Sequence, residues 1–256
     1  MSLAGVWQNE YGSRMSLQVT AGQVHGSYAS TTGSTGSYVL CGCAAGGEAV
    51  ATAGMPVALA ISWRSVVPSA RDASWHWVSA LSGQICQSDG QERLVLNHLL
   101  VASCEFPGFC GPGTYVDKLI YRRVEPPEAQ SALPDSAVLD AALTGGWRGD
   151  GVALELRLGT DGGQIGRVSG RIALEGQSLE LAGFADILPA QPALAQQAVS
   201  LTALDAAGRR TFALAGVLHL AEQRLQLQLM TARGTPAADS YLQTAMRGLS
   251  LSPAAR

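Results

Sequence analysis

Charge is scarce in this chain. Asp, Glu, Lys and Arg make up 14% of its 256 residues, and the formal net charge is -3. No Lys/Arg cluster offers a phosphate-tracking surface, so nucleic acid is not expected as a partner. The pair Arg122-Arg123 reads as a solvated strand end. No apolar run reaches the roughly 20 residues that cross a bilayer as a helix, and the start lacks the basic and hydrophobic regions of a secretory signal. No membrane partner is therefore expected. Localisation stays open, with a secreted or periplasmic site requiring that a signal has been removed.

Cysteine is missing from the second half; Cys41, Cys43, Cys86, Cys104 and Cys110 all lie in the first. An odd number leaves at least one thiol unpaired in a monomer. The spacing lacks the close Cys-x-x-Cys pairs of a structural metal site. Cys104 and Cys110 flank a Pro107-Gly108 turn and could close a loop disulfide in an oxidising compartment. His25, His76, His98 and His219 are dispersed without metal-ligand spacing. Gly12-Ser13 and Ser82-Gly83 lack the Gly-x-Ser-x-Gly context of a nucleophile elbow. The glycines between Gly159 and Gln164 lack the strand-loop-helix setting of a phosphate cradle. No catalytic residue, metal site or cofactor is assigned, and a non-enzymatic protein is expected.

What the chain has is glycine, 30 of them, with Val, Leu and Thr in apolar strings shorter than ten residues. Short strands joined by tight turns follow, giving an all-β class. Leu154-Glu155-Leu156-Arg157-Leu158 alternates strictly, as a strand with one solvated face does. The stretch around Pro126-Pro127 is a poor strand and a good linker, which divides the chain into 1-124, a linker 125-142, and 143-256. Across that boundary the sequence echoes itself. Leu143-Thr144-Gly145-Gly146-Trp147 matches Leu3-Ala4-Gly5-Val6-Trp7, and Leu179-Glu180-Leu181-Ala182-Gly183 matches Tyr38-Val39-Leu40-Cys41-Gly42. A divergent tandem duplication accounts for the shared landmarks. Asp239 to Leu249 admits a helix with Leu242, Met246 and Leu249 as its stripe, while the same segment aligns with the last strand of the first half.

Four hydrogen-bonding residues stand out beside Trp7. Asn9 and Ser13, then Tyr28 and Ser30, share the parity that points side chains to one face of neighbouring strands. Asn9, Ser13 and Tyr28 supply three donors that could converge on one carbonyl-like oxygen. The segments Gly5-Val6-Trp7-Gln8-Asn9 through Gly12-Ser13, and Gly26-Ser27-Tyr28-Ala29-Ser30, resemble the avidin and streptavidin family, whose first motifs read Gly-x-Trp-x-Asn-x-x-Gly-Ser and Gly-x-Tyr-x-Ser. The resemblance covers about Leu3 to Val124. It implies tandem eight-stranded antiparallel up-and-down β-barrels, the second a degenerate avidin-like structural partner. Strands of the first are expected near Gly5, Ser13, Gln23, Gly36, Pro56, Ser74, Arg93 and Gly113.

The resemblance further implies that Asn9, Ser13 and Tyr28 surround the ureido oxygen of biotin and that Ser30 meets a ureido N-H. Trp63 resembles the family tryptophan packed beside the ligand, Ser34 sits in the position of the covering loop, and Ser79 matches a polar position in Ser79-Ala80-Leu81-Ser82-Gly83-Gln84. Leu81 replaces a family tryptophan and His98 stands where the family carries a second aromatic wall, with Trp75 and Trp77 as further cover towards the mouth. The ureido-facing aspartate maps onto Leu119, and Asp117, two residues earlier, keeps the inward parity. The expected function is non-catalytic binding of biotin or a compact biotin-like molecule, biotin being a ligand and not a cofactor. The alternative is a structural or protein-interaction barrel that has lost it. The Leu-rich strands of the second half suit an intramolecular barrel-barrel interface, with room for a homo-oligomer.

Overall fold

The computed structural model describes residues 2-30, 35-47, 49-50, 52-67, 76-105, 111-126, 137-160, 165-187, 196-239 and 243-254. Strands β1 (Gly5–Asn9), β2 (Arg14–Thr20), β3 (Gln23–Ser30), β4 (Gly36–Ala44), β5 (Met55–Ser65), β6 (Trp77–Ser88), β7 (Gln91–Ala102) and β8 (Gly113–Glu125) each pair antiparallel with the next. β8 returns to β1, with Asn9 opposite Tyr121, and the barrel closes. Closure removes the exposed edges that would otherwise template aggregation.

The second half repeats this plan. β10 (Gly145–Gly149), β11 (Val152–Thr160), β12 (Gly166–Leu174), β13 (Gln177–Ala185), β14 (Gln196–Leu204), β15 (Arg210–His219), β16 (Arg224–Arg233) and β17 (Thr244–Pro253) follow in order, and β10 pairs with both β11 and β17. The interval read as linker contributes one short strand, β9 (Ala137–Val138), which extends β10 along the edge of β11 through Val138 opposite Gly159. Thr244–Pro253 is a strand and not a helix, paired with β16 along its length from Thr244 to Leu251. Leu242, one member of the helical stripe, lies outside the described residues.

Alternation explains both interiors. In β5, Val57, Leu59, Ile61 and Trp63 point inward, and the intervening Ala58 and Ala60 point out. In β15, Phe212, Leu214 and Leu218 point inward, and Ala213 and Ala215 point out. The outward alanines are nonetheless fully buried, because each barrel covers the other: Ala58, Val78, Ala80, Leu99 and Val101 pack with Ala198, Ala213, Ala215 and Met230. The Leu-rich strands β14, β15 and β16 do form the interface, but not through their leucines: Leu225, Leu227 and Leu229 have inward parity and fill the second interior, so the contact falls to outward alanines with Val78, Leu99, Val101 and Met230.

Polar groups seal this contact. Gln84 donates through Nε2 to the Thr235 carbonyl at 3.1 Å and accepts from the Thr235 N-H at 2.9 Å. The Gln243 amide donates to the Val95 carbonyl at 2.8 Å, and buried His76 lies 2.6 Å from the Asp186 carboxylate. Each satisfies a polar atom that would be costly to bury alone.

Candidate functional site in the first barrel

The tight β1-β2 turn sets the floor. Asn9 Oδ1 accepts from the backbone N-H groups of Tyr11 at 3.1 Å and Ser13 at 2.9 Å. Gly12 takes a φ of 86°, a left-handed conformation that glycine adopts without strain. With its oxygen engaged by its own turn, Asn9 has its amide N-H₂ as the remaining polar group. Asn9, Ser13, Tyr28 and Ser30 are all buried. The Tyr28 hydroxyl lies against those of Ser13 and Tyr121, and burial raises its pKa above the ordinary phenol value. It stays protonated and able to donate. Tyr121, fully buried on β8, is raised in the same way and lies against both Tyr28 and Asn9.

Above this floor stand aromatic walls. Trp63 meets Tyr28 edge-on at 5.7 Å between ring centroids and Trp77 at 6.4 Å, and lies tilted against Tyr38 at 4.7 Å. Its indole N-H donates to Ser79 Oγ at 2.7 Å, while His98 Nε2 lies 2.7 Å from the same oxygen. Since the indole can only donate, Ser79 Oγ accepts from it and keeps one further acceptor site and its own proton for the contact with His98. Burial pushes the His98 pKa down to about 4, against a smaller upward pull from Asp117. The imidazole is neutral near pH 7.

These side chains line one open-mouthed cavity of about 320 Å³. Asn9, Ser13, Tyr28 and Ser30 line it together with Trp63, Trp77, His98 and Asp117. Ser79 is fully buried behind Trp63 and His98 and acts on the wall through them. Asp117 is exposed, standing at the mouth opposite His98 across the β7-β8 pair. Ser34 and Trp75 lie outside the described residues, as does Cys110 of the Cys104-Cys110 pair. Leu81, 1% exposed, packs in the core next to the Leu59 position instead of forming a wall.

Tyr11, Leu100 and Tyr121 went unassigned from sequence, and Leu119 was placed only as the position of the family aspartate. Tyr11, Leu100 and Leu119 line the cavity, and Tyr121 supports its floor. Parity could have found two of them, since Leu100 follows His98 by two residues and Tyr121 follows Leu119 by two. Arg123 is a correction. Its inward parity carries the guanidinium over the Trp7 ring, 4.3 Å from the centroid, where it also donates to Glu92 at 2.6 Å and to the Ala4 carbonyl. It caps the closed end of the barrel and is not a merely solvated charge.

The second barrel keeps the cap and loses the floor. Trp147 Nε1 donates to the Leu143 carbonyl at 3.0 Å, as Trp7 Nε1 does to Leu3 at 2.9 Å. Ile172 stands at the tyrosine position, and leucines fill the space around it. This barrel nonetheless touches the site strand, where Ser200 Oγ donates to the Ser79 carbonyl at 2.7 Å. Among the described residues, no group of three or more His, Cys, Asp or Glu side chains could hold a metal ion. No curated protein matches the chain. Residues 1-106, which end before β8, match the avidin family.

Proposed function

We propose that the first barrel is a reversible receptor for biotin, or for a compact molecule with the same carbonyl-bearing ring, and that the chain is not an enzyme. The observation that carries this reading is the set of donors from Asn9, Ser13 and Tyr28 at the buried end of one cavity. Donors from three side chains lining one cavity suit a polarised carbonyl oxygen, which can accept several hydrogen bonds. Ser30 is placed to meet a ring N-H, and Trp63 and Trp77 cover apolar surface with rigid rings. A volume of about 320 Å³ suits a small ligand. The avidin-family match over residues 1-106 supports the same class of ligand.

Calorimetric titration of the full chain with biotin tests this, beside a Tyr28→Phe variant of unchanged circular dichroism. Binding heat and thermal stabilisation at high micromolar biotin are expected. Loss of one hydrogen bond of about 0.5-1.5 kcal/mol weakens binding by roughly 2- to 13-fold in the variant. No heat and no stabilisation would remove biotin as the ligand, and equal affinities would remove Tyr28 from the site. The second reading, a structural or protein-interaction barrel, draws on the leucine-filled second barrel, which keeps the fold without a polar floor. On that reading Tyr28→Phe alters stability alone.

A further inference from the structure

The two strands flanking the polar floor are chemically unequal. Asn9 on β1 pairs with Tyr121 on β8, and Met15 on β2 pairs with Tyr28 on β3. One inward step nearer the mouth, β3 presents Ser30 and β8 presents Leu119. Both line the cavity, and both are buried, at 6% and 5% exposure. A carbonyl seated among Asn9, Ser13 and Tyr28 therefore has a hydroxyl on its β3 flank and an isobutyl group on its β8 flank. The next inward residue on β8 is Asp117, an exposed side chain at the mouth whose Oδ1 accepts from the Lys118 N-H at 2.7 Å. The Nε2 of His98, on β7, is engaged by Ser79. Between Tyr121 and Asp117 the inward face of β8 offers the apolar Leu119 alone.

We propose that Leu119 makes this site selective for a ring whose carbonyl carries an N-H on one side only, such as a lactam, over a symmetric cyclic urea. The inference rests on the carbonyl-binding reading of the same floor. A ring N-H turned towards Leu119 loses its hydrogen bond to water and gains none, whereas a methylene there is desolvated favourably. The N-H on the other flank still meets Ser30.

The test uses the full chain and three probes: biotin and the two lactams in which one or the other ureido N-H is replaced by CH₂. Titration of the wild type should show the tighter lactam binding roughly ten- to a hundredfold more tightly than biotin, the range expected for an unsatisfied buried donor. In Leu119→Asn, whose amide oxygen can accept the second N-H, that preference should disappear or reverse. Biotin binding as tightly as either lactam in the wild type overturns the proposal. An unchanged preference in a folded Leu119→Asn variant does so as well. If none of the three probes binds, the carbonyl seat itself falls, and the selectivity with it; that result is distinct from binding in the wrong order.

Discussion

Burial acts on Tyr28 and His98 in opposite directions, and each result leaves the side chain uncharged near pH 7. The Tyr28 phenol is pushed up and remains a donor. The His98 imidazole is pushed down to about 4 and remains neutral beside Ser79. Because the folded pKa lies below the ordinary 6.5, the unfolded chain binds more protons between those values. Stability present above pH 6.5 is therefore lost as pH falls towards 4, with a slope of at most about 1.4 kcal/mol per pH unit. Thermal unfolding at pH 7, 5.5 and 4.5 should show a midpoint that falls on acidification, and a shallower fall in His98→Gln. Equal slopes would mean that His98 is solvated in the folded chain. The polar floor itself was legible in the sequence, because Asn9, Ser13, Tyr28 and Ser30 share an inward parity that can be counted along single strands. Tyr121 was legible only as an inward side chain, because its place beneath Tyr28 depends on the β1-β8 pairing across more than a hundred residues.

Paired strands in the two barrels approach closely at matching glycines. Gly42 on β4 stands opposite Leu59, and Gly183 on β13 stands opposite Leu201. A Cβ at Gly42 would run into the Ala58 carbonyl oxygen and lie 2.9 Å from Leu59 Cα; one at Gly183 would meet the Ser200 carbonyl and lie 2.8 Å from Leu201 Cα. These obstacles are backbone and cannot rotate away. Gly42→Ala and Gly183→Ala should each cost about 1-3 kcal/mol in urea unfolding, whereas Gly111→Ala, with nothing within 4 Å, should be near neutral. Equal effects at all three positions would show that chain entropy and not the strand contact is responsible. The echo between Leu40-Cys41-Gly42 and Leu181-Ala182-Gly183 was visible beforehand. Its meaning as one strand contact built twice required the register.

At the scale of the molecule, corresponding strands of the two barrels face each other. β5 and β6 pack on β14 and β15 with alanine against alanine, so the arrangement resembles an isologous interface enclosed within one chain. Ala80 is fully buried and points out of the first barrel into this contact. Ala80→Glu would bury a carboxylate against Ala213, Ala215 and Met230, at a cost of about 3 kcal/mol or more if it stayed charged there. The expected result is separation of the barrels: a larger radius of gyration by solution scattering and two calorimetric transitions where the wild type shows one. An unchanged radius and a single transition would mean that the pairing does not depend on this patch. Ser200 binds the strand that carries Ser79, so the same variant should also weaken ligand binding.

The amino-acid sequence determined what is local and periodic. Strand period, turn glycines, the proline-marked division and the inward parity of the polar residues are properties of successive side chains, and they yielded the all-β class, the two halves and the polar floor, while the barrels and the rest of the assigned lining came from the resemblance to avidins. Tertiary structure decided what depends on partners distant in the chain. The outward alanines of β5 and β15 gave no local sign of burial, because their cover comes from the other barrel. Arg123 looked solvated until closure of β8 onto β1 carried it over Trp7. Leu119 looked like a lost aspartate until the same closure set it into the cavity lining with Ser30, where the proposed carbonyl has an apolar flank on β8.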